Sequence, residues 1–209
     1  MVSSGSCGVT TMGAAYCWGG APPTPAPGSM TWQSVSVGNS EDCGVTTSGA
    51  AYCWGDTLAA VPGGLAFATV NVPCGLTTTG AAYCWGDNEF GQLGNGTTTS
   101  STTPVPVSGG FTFKSLSASQ LSACGITTAD VAYCWGLNTY GELGNGTTTN
   151  SATPTAVVGG SVFASVSVGV FSTCGVTATG LGYCWGDNSY GELGTGVTGR
   201  VLVPTKVAL

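Results

Sequence analysis

Five cysteine pairs with a single spacing, C-x9-C, constrain this chain more than any other feature: Cys7/Cys17, Cys43/Cys53, Cys74/Cys84, Cys124/Cys134 and Cys174/Cys184. An even cysteine count at fixed spacing predicts a disulfide framework, and hence an oxidising, extracytoplasmic compartment. Zinc sites favour C-x2-4-C knuckles, often with histidine, and the chain has neither. Each pair lies in a matched segment: CGVTTMGAAYCWG, CGVTTSGAAYCWG, CGLTTTGAAYCWG, CGITTADVAYCWG and CGVTATGLGYCWG. The corresponding hairpins occupy 7–19, 43–55, 74–86, 124–136 and 174–186 of a single repeat domain spanning 1–209.

The register of one hairpin follows from the residues. If Cys43 faces Cys53, then Gly44 faces Tyr52 and Val45 faces Ala51. Thr47, Ser48 and Gly49 remain as a three-residue loop whose last position takes a left-handed conformation. That position is Gly13, Gly49, Gly80 and Gly180 in four repeats and Asp130 in the other. Asp is among the few residues besides glycine that tolerate positive φ. Gly44 and Tyr52 share a face, on which the tyrosine ring is expected to lie over the glycine. Neither face of the hairpin is polar, so both are expected to be covered by neighbouring sheets.

Alternating runs precede the last four hairpins: WQSVSVG, FATVNV, FKSLSAS and FASVSVG. They read as half-buried strands. Long tails follow the last three hairpins, beginning DNEFGQLGNG, LNTYGELGNG and DNSYGELGTG, and each leads into a proline-bounded strand. The first two repeats are trimmed and carry GAPPTPAPGSM and DTLAAVPGGLA instead. The fold class expected is all-β: a β-propeller of about five four-stranded blades with one disulfide per blade. VPTKVAL at the C-terminus is expected to complete the first blade and close the ring.

Together, WGDNEFGQLGNG, PVPV, FKSLSAS and CGITTADVAYCWG make the chain resemble the regulator of chromosome condensation repeat family, in particular its bacterial, secreted members with a doubled cysteine. The resemblance spans nearly the whole chain and implies a propeller with four-stranded blades. Family propellers usually have seven blades and a histidine near the inner hairpin; here there are five hairpins and no histidine. The nucleotide-exchange and chromatin roles of eukaryotic members are not carried over, because the loop and basic surfaces they need have no counterpart.

Three basic residues against nine acidic ones give a net charge of -6, which argues against nucleic acid and anionic membranes as partners. No apolar run approaches the roughly 18 residues of a membrane span. Met1-Val2-Ser3-Ser4 has no signal-peptide character, so export is read from the cysteines alone. Without histidine, and with its cysteines paired, the chain is expected to be no enzyme and to need no cofactor or metal. A carboxylate hydrolase would require acidic residues of different blades to meet in one pocket. Asp56, Asp87 and Asp187 after Trp-Gly read as turn initiators, and Asn95 and Asn145 as tight turns that also match glycosylation sequons. A calcium site at Asp-Asn-x-aromatic-Gly is the weaker reading, since Leu137 replaces the Asp in one long repeat. The repeated tryptophans read as core between blades.

Binding is therefore expected where the repeats differ, in the loops between the alternating strand and Cys-Gly. These read Asn39-Ser40-Glu41-Asp42, Pro73, Ser119-Gln120-Leu121-Ser122-Ala123 and Val170-Phe171-Ser172-Thr173. Glu41, Asp42, Gln120, Leu121 and Phe171 are the candidate contacts for a protein or surface-glycan partner. The alternative is an assembly element that joins copies of itself.

Overall fold

A computed structural model describes residues 6–19, 22–38, 41–55 and 57–208. It contains five antiparallel sheets in chain order. Blade 1 holds β1 (Ser6–Val9), β2 (Ala15–Trp18) and β3 (Thr24–Pro25). Blade 2 holds β4 (Trp32–Ser36), β5 (Asp42–Thr46), β6 (Ala51–Trp54) and β7 (Leu58–Ala60). Blade 3 holds β8 (Phe67–Asn71), β9 (Cys74–Thr77), β10 (Ala82–Gly86) and β11 (Ser101–Pro106). Blade 4 holds β12 (Phe113–Ala118), β13 (Ser122–Thr127), β14 (Ala132–Gly136) and β15 (Ser151–Ala156). Blade 5 holds β16 (Phe163–Val168), β17 (Ser172–Thr177), β18 (Gly182–Gly186) and β19 (Val201–Lys206).

The hairpin register is the one the residues imply: Cys43 faces Cys53, Gly44 faces Tyr52 and Val45 faces Ala51. All five cysteine pairs are bridged within their own hairpin, with Cα separations of 4.0–4.1 Å. The loop-closing position has positive φ throughout, at Gly13, Gly49, Gly80 and Gly180 and at Asp130, whose φ is 64°. Asp130 also pairs with Lys114.

The ring over each hairpin glycine is not the tyrosine. A β-bulge interrupts the first ladder of blades 2 to 5, between Trp32 and Ser34, Phe67 and Thr69, Phe113 and Ser115, and Phe163 and Ser165. A bulge re-aims a side chain, and here it lays the first-strand aromatic onto the glycine. A Cβ on Gly44, Gly75, Gly125 or Gly175 would meet Trp32, Phe67, Phe113 or Phe163 at 2.5–2.6 Å. Tyr52 and Tyr183 instead meet Trp32 and Phe163 edge-on.

That stack gives each blade two unlike faces. The disulfide face of one blade packs on the aromatic face of the next. Cys43, Val45 and Cys53 cluster with Phe67 and Trp85, and Cys124, Ile126 and Cys134 cluster with Phe163 and Trp185. The repeated tryptophans are core in blades 2 to 5, while Trp18 of blade 1 is 41% exposed. In the long repeats a second lock is added over the tryptophan. The indole N–H of Trp135 donates to the Gln92 carbonyl (3.1 Å) and that of Trp185 to the Glu142 carbonyl (2.8 Å).

Among the described residues the C-terminal strand is hydrogen-bonded into blade 5, not into blade 1. β19 pairs with β18 inside blade 5, Tyr183 opposite Lys206, because a long tail leads into the fourth strand of its own sheet, as at β11 and β15. Among the described residues blade 1 has three strands, and extensive packing between sheets joins only consecutive blades.

Adding a Cβ at Gly125 drives it into the Phe113 ring, whereas at Gly182 it would find ordinary contact with Val207 at 3.7 Å. Gly125→Ala is expected to destabilise the fold by about 1–3 kcal/mol. Gly182→Ala, which restores the alanine of Ala51, Ala82 and Ala132, is expected to be neutral or to stabilise by about 0.5 kcal/mol. Urea denaturation of the two variants measures both effects.

Candidate functional site

Successive strands of a blade run antiparallel, so the loops joining first to second strand and third to fourth strand emerge on the same rim. Two of the candidate contacts meet there. Glu41, from the β4–β5 loop, and Gln120, from the β12–β13 loop, line one cavity of about 260 Å³. Gly38, Val72, Pro73, Trp85, Gly86 and Asp87 complete its wall, so three consecutive blades contribute. On its other side Glu41 borders a smaller recess of about 160 Å³ against Cys53, Ala59, Ala60, Val61 and Trp85.

Glu41 is half-buried, and burial pushes its carboxyl above the usual carboxylate range; a hydrogen bond from the Trp85 side chain partly offsets this. The arrangement reflects a missing tail. Trp135 and Trp185 find an acceptor in the long tail of the preceding repeat, whereas the trimmed repeat of blade 2 sets the Glu41 side chain beside Trp85. Asp87 is exposed at the cavity wall, so two carboxylates of different blades do share one recess.

The other candidates lie elsewhere. Asp42 is 5% exposed and accepts the Gly38 N–H at 3.3 Å, so it serves the turn and is removed from the surface. Leu121 is half-buried, and its carbonyl accepts the Leu137 N–H at 2.8 Å. Phe171 is 44% exposed further along the rim, with its ring 5.5 Å from that of Tyr140 and the Arg200 guanidinium 5.2 Å from the Tyr140 ring. Asn39, Ser40 and Asp56 lie outside the described residues.

Sequence reasoning missed the residue that shapes the long tails. Asn88, Asn138 and Asn188 are fully buried. The Asn88 carboxamide accepts the Leu93 N–H at 2.9 Å and donates to the Thr97 and Thr99 carbonyls, each at 3.0 Å. The signal was present, since Asn follows the Asp or Leu in all three tails. Asp187 does initiate a turn, accepting the Ser189 N–H at 3.1 Å, and Asn95 and Asn145 accept the N–H of Thr97 and Thr147. Carboxylates also approach disulfides, Asp42 at Cys7–Cys17 and Glu41 at Cys43–Cys53. Oxidised sulfur offers no thiolate, so neither group is a metal centre.

With this geometry established, comparison with known proteins places the chain. The regulator of chromosome condensation (RCC1) repeat profile matches residues 79–127, 130–176 and 180–209, and a second profile of the same description matches 163–192. The chain belongs to the RCC1 repeat family. No curated protein matched its sequence. Among solved structures, Prp20p of Saccharomyces cerevisiae superposes with a TM-score of 0.85 at 17% identity, over 99% of this chain and 62% of that one. The same yeast protein bound to Kap60 gives 0.83 at 19% identity, over 99% and 60%. The ectodomain of the Physcomitrella patens receptor kinase CR4 gives 0.62 at 26% identity, over 86% and 48%. The chain therefore spans about three-fifths of the yeast propeller or less of the plant ectodomain.

Glu142 supplies a pH test of the rim. It is 1% exposed; one carboxyl oxygen accepts the Tyr140 N–H at 2.8 Å, and the other has no partner. Its counterpart Gln92 uses an amide N–H there, donated to the Gln120 carbonyl at 3.2 Å. Burial raises the Glu142 carboxyl above its usual range, with the charge of Asp187 adding to the effect. A folded-state pKa above the unfolded value means the folded protein holds the proton more tightly. Stability is then full below the ordinary glutamate range and declines as pH rises through the raised value. Glu142→Gln is expected to flatten that decline and to stabilise by about 1–3 kcal/mol at neutral pH, read from chemical denaturation between acid and neutral pH.

Proposed function

We propose that this chain is an extracellular, non-catalytic scaffold that binds a partner through the rim recess at Glu41, Trp85 and Gln120. One observation carries the reading: loops from three consecutive blades converge on a cavity of about 260 Å³ at Glu41, Trp85 and Gln120. Five disulfides support an oxidising location, and so does the likeness to a receptor ectodomain. A protein partner is favoured over a surface glycan. The yeast relative was studied for binding to Gsp1p and histones, and its structure with Kap60 bound is known. Exposed Phe171 and Arg200, both against the half-buried Tyr140 ring, add a second contact of the aromatic and arginine composition common at interaction hot spots. Binding is also favoured over acid–base chemistry at Glu41 and Asp87, because the chain has no histidine to serve as a partner base.

Self-assembly is the second reading, and the two end blades favour it. Blade 1 exposes Tyr16 and Trp18 of its aromatic face, and blade 5 exposes Val176 and Leu181 beside the Cys174–Cys184 bridge. Such unlike end faces would join copies head to tail, giving rings or filaments.

Capture from culture fluid or cell surfaces with the parent, Gln120→Trp/Asp87→Arg and Phe171→Ala proteins separates the readings when each is also sized by light scattering. We expect a concentration-independent monomer, a partner that the double variant loses, and weaker recovery with Phe171→Ala. Equal recovery by all three would contradict the rim site. Concentration-dependent growth would favour head-to-tail assembly.

A further inference from the structure

The partner's chemistry is written inside the molecule. Between blades 3 and 4 the segment Gly91-Gln92-Leu93-Gly94 lies over Trp135, and between blades 4 and 5 Gly141-Glu142-Leu143-Gly144 lies over Trp185. Three contacts define this seat. First, the Gln92 or Glu142 carbonyl accepts the indole N–H. Second, Leu93 and Leu143 are fully buried, clustered with Cys84 and Trp135 and with Cys134 and Trp185. Third, the closing glycine crosses the indole so closely that a Cβ on Gly94 or Gly144 would lie 2.7–2.8 Å from the ring.

At the boundary of blades 2 and 3, among the described residues, no tail fills the corresponding seat. The Glu41 side chain lies beside Trp85 here, and the two line the recesses together. Where Gln92 Cα stands 3.2 Å from the Cβ position of Gly136, the matching position over Gly86 meets only Pro73, at 3.9 Å. The leucine site is represented by the recess of about 160 Å³ at Cys53, Ala59, Ala60 and Val61. That is close to the roughly 150 Å³ that holds a benzene in an engineered apolar cavity.

Building on the rim-binding reading, we infer that the recess over Trp85 receives a turn of the form Gly-(Gln/Glu)-Leu-Gly from a partner protein. The turn's carbonyl accepts the Trp85 indole N–H and displaces the Glu41 side chain beside it, its leucine fills the recess against Cys53, and its last glycine crosses the ring. Glu41 holds the seat until the partner arrives.

The test uses the whole protein and two peptides: FGQLGNG, the sequence of residues 90–96, and FGQLANG, in which alanine replaces the ring-crossing glycine. The readout is the indole N–H resonance of Trp85 in a proton–nitrogen correlation spectrum, assigned with Trp85→Phe. FGQLGNG should shift that resonance saturably, with FGQLANG roughly tenfold weaker or more. Glu41→Ala, which removes the competing acceptor, should tighten binding several-fold, and Gln120→Trp should block it. No shift of the Trp85 resonance up to about 1 mM peptide, or equal binding of the two peptides, would overturn the inference. If the peptides fail while Gln120→Trp/Asp87→Arg still abolishes partner capture, the recess binds a different chemistry and only this inference falls.

Discussion

An aromatic ring lying on a glycine backbone is the contact on which the rest of the structure depends. Trp32, Phe67, Phe113 and Phe163 each rest where a side chain on the hairpin glycine would stand, and a bulge turns them there. The ring thickens one face of the sheet while the disulfide keeps the other thin and apolar. Two unlike faces on every blade allow stacking in a single direction, disulfide onto aromatic. Consecutive repeats therefore pack in chain order; the hairpin cysteines are all bridged, and the one hairpin charge, Asp130, sits in the turn, paired with Lys114.

The proposed binding recess follows from where this scheme is applied unevenly. A complete repeat covers the next tryptophan with its own tail and leaves no room there. Blade 2 has a trimmed tail, so the same stacking leaves Trp85 facing a recess, with Glu41 acting as a partial stopper. Gln92 and Glu142 show how narrow the tolerance is beneath a tail. The amide completes its hydrogen bonds, while the carboxyl leaves one oxygen unpartnered and retains its proton more tightly. Scaffold and site are built from the same motif, present in one case and absent in the other.

Much of this was legible in the residues. The hairpin register, the bridged pairs and the positive φ at Asp130 follow from turn chemistry and spacing, which act over a few residues. What failed had longer-range causes. A bulge leaves no mark in composition, so the ring over Gly44 was assigned to Tyr52 when Trp32 supplies it. The C-terminal strand is expected beside the first blade because the two chain ends are complementary parts of a repeat, whereas its ladder runs to β18. Asp42 read as a surface acid, yet it begins β5 opposite Trp54 and is buried beside the Cys7–Cys17 bridge. That Glu41 and Gln120 would share a cavity depended on the shortness of the intervening Val72-Pro73 turn, which only the assembled blades reveal.

Disulfide mapping of the unreduced protein by proteolysis and mass spectrometry tests the stapled, two-faced blade most directly. The account predicts five bridges, each within one hairpin, joining Cys7 to Cys17, Cys43 to Cys53, Cys74 to Cys84, Cys124 to Cys134 and Cys174 to Cys184. A cross-link between cysteines of different repeats, or a stoichiometric free thiol, would contradict it, because the flat disulfide face that each following blade packs against would then not exist.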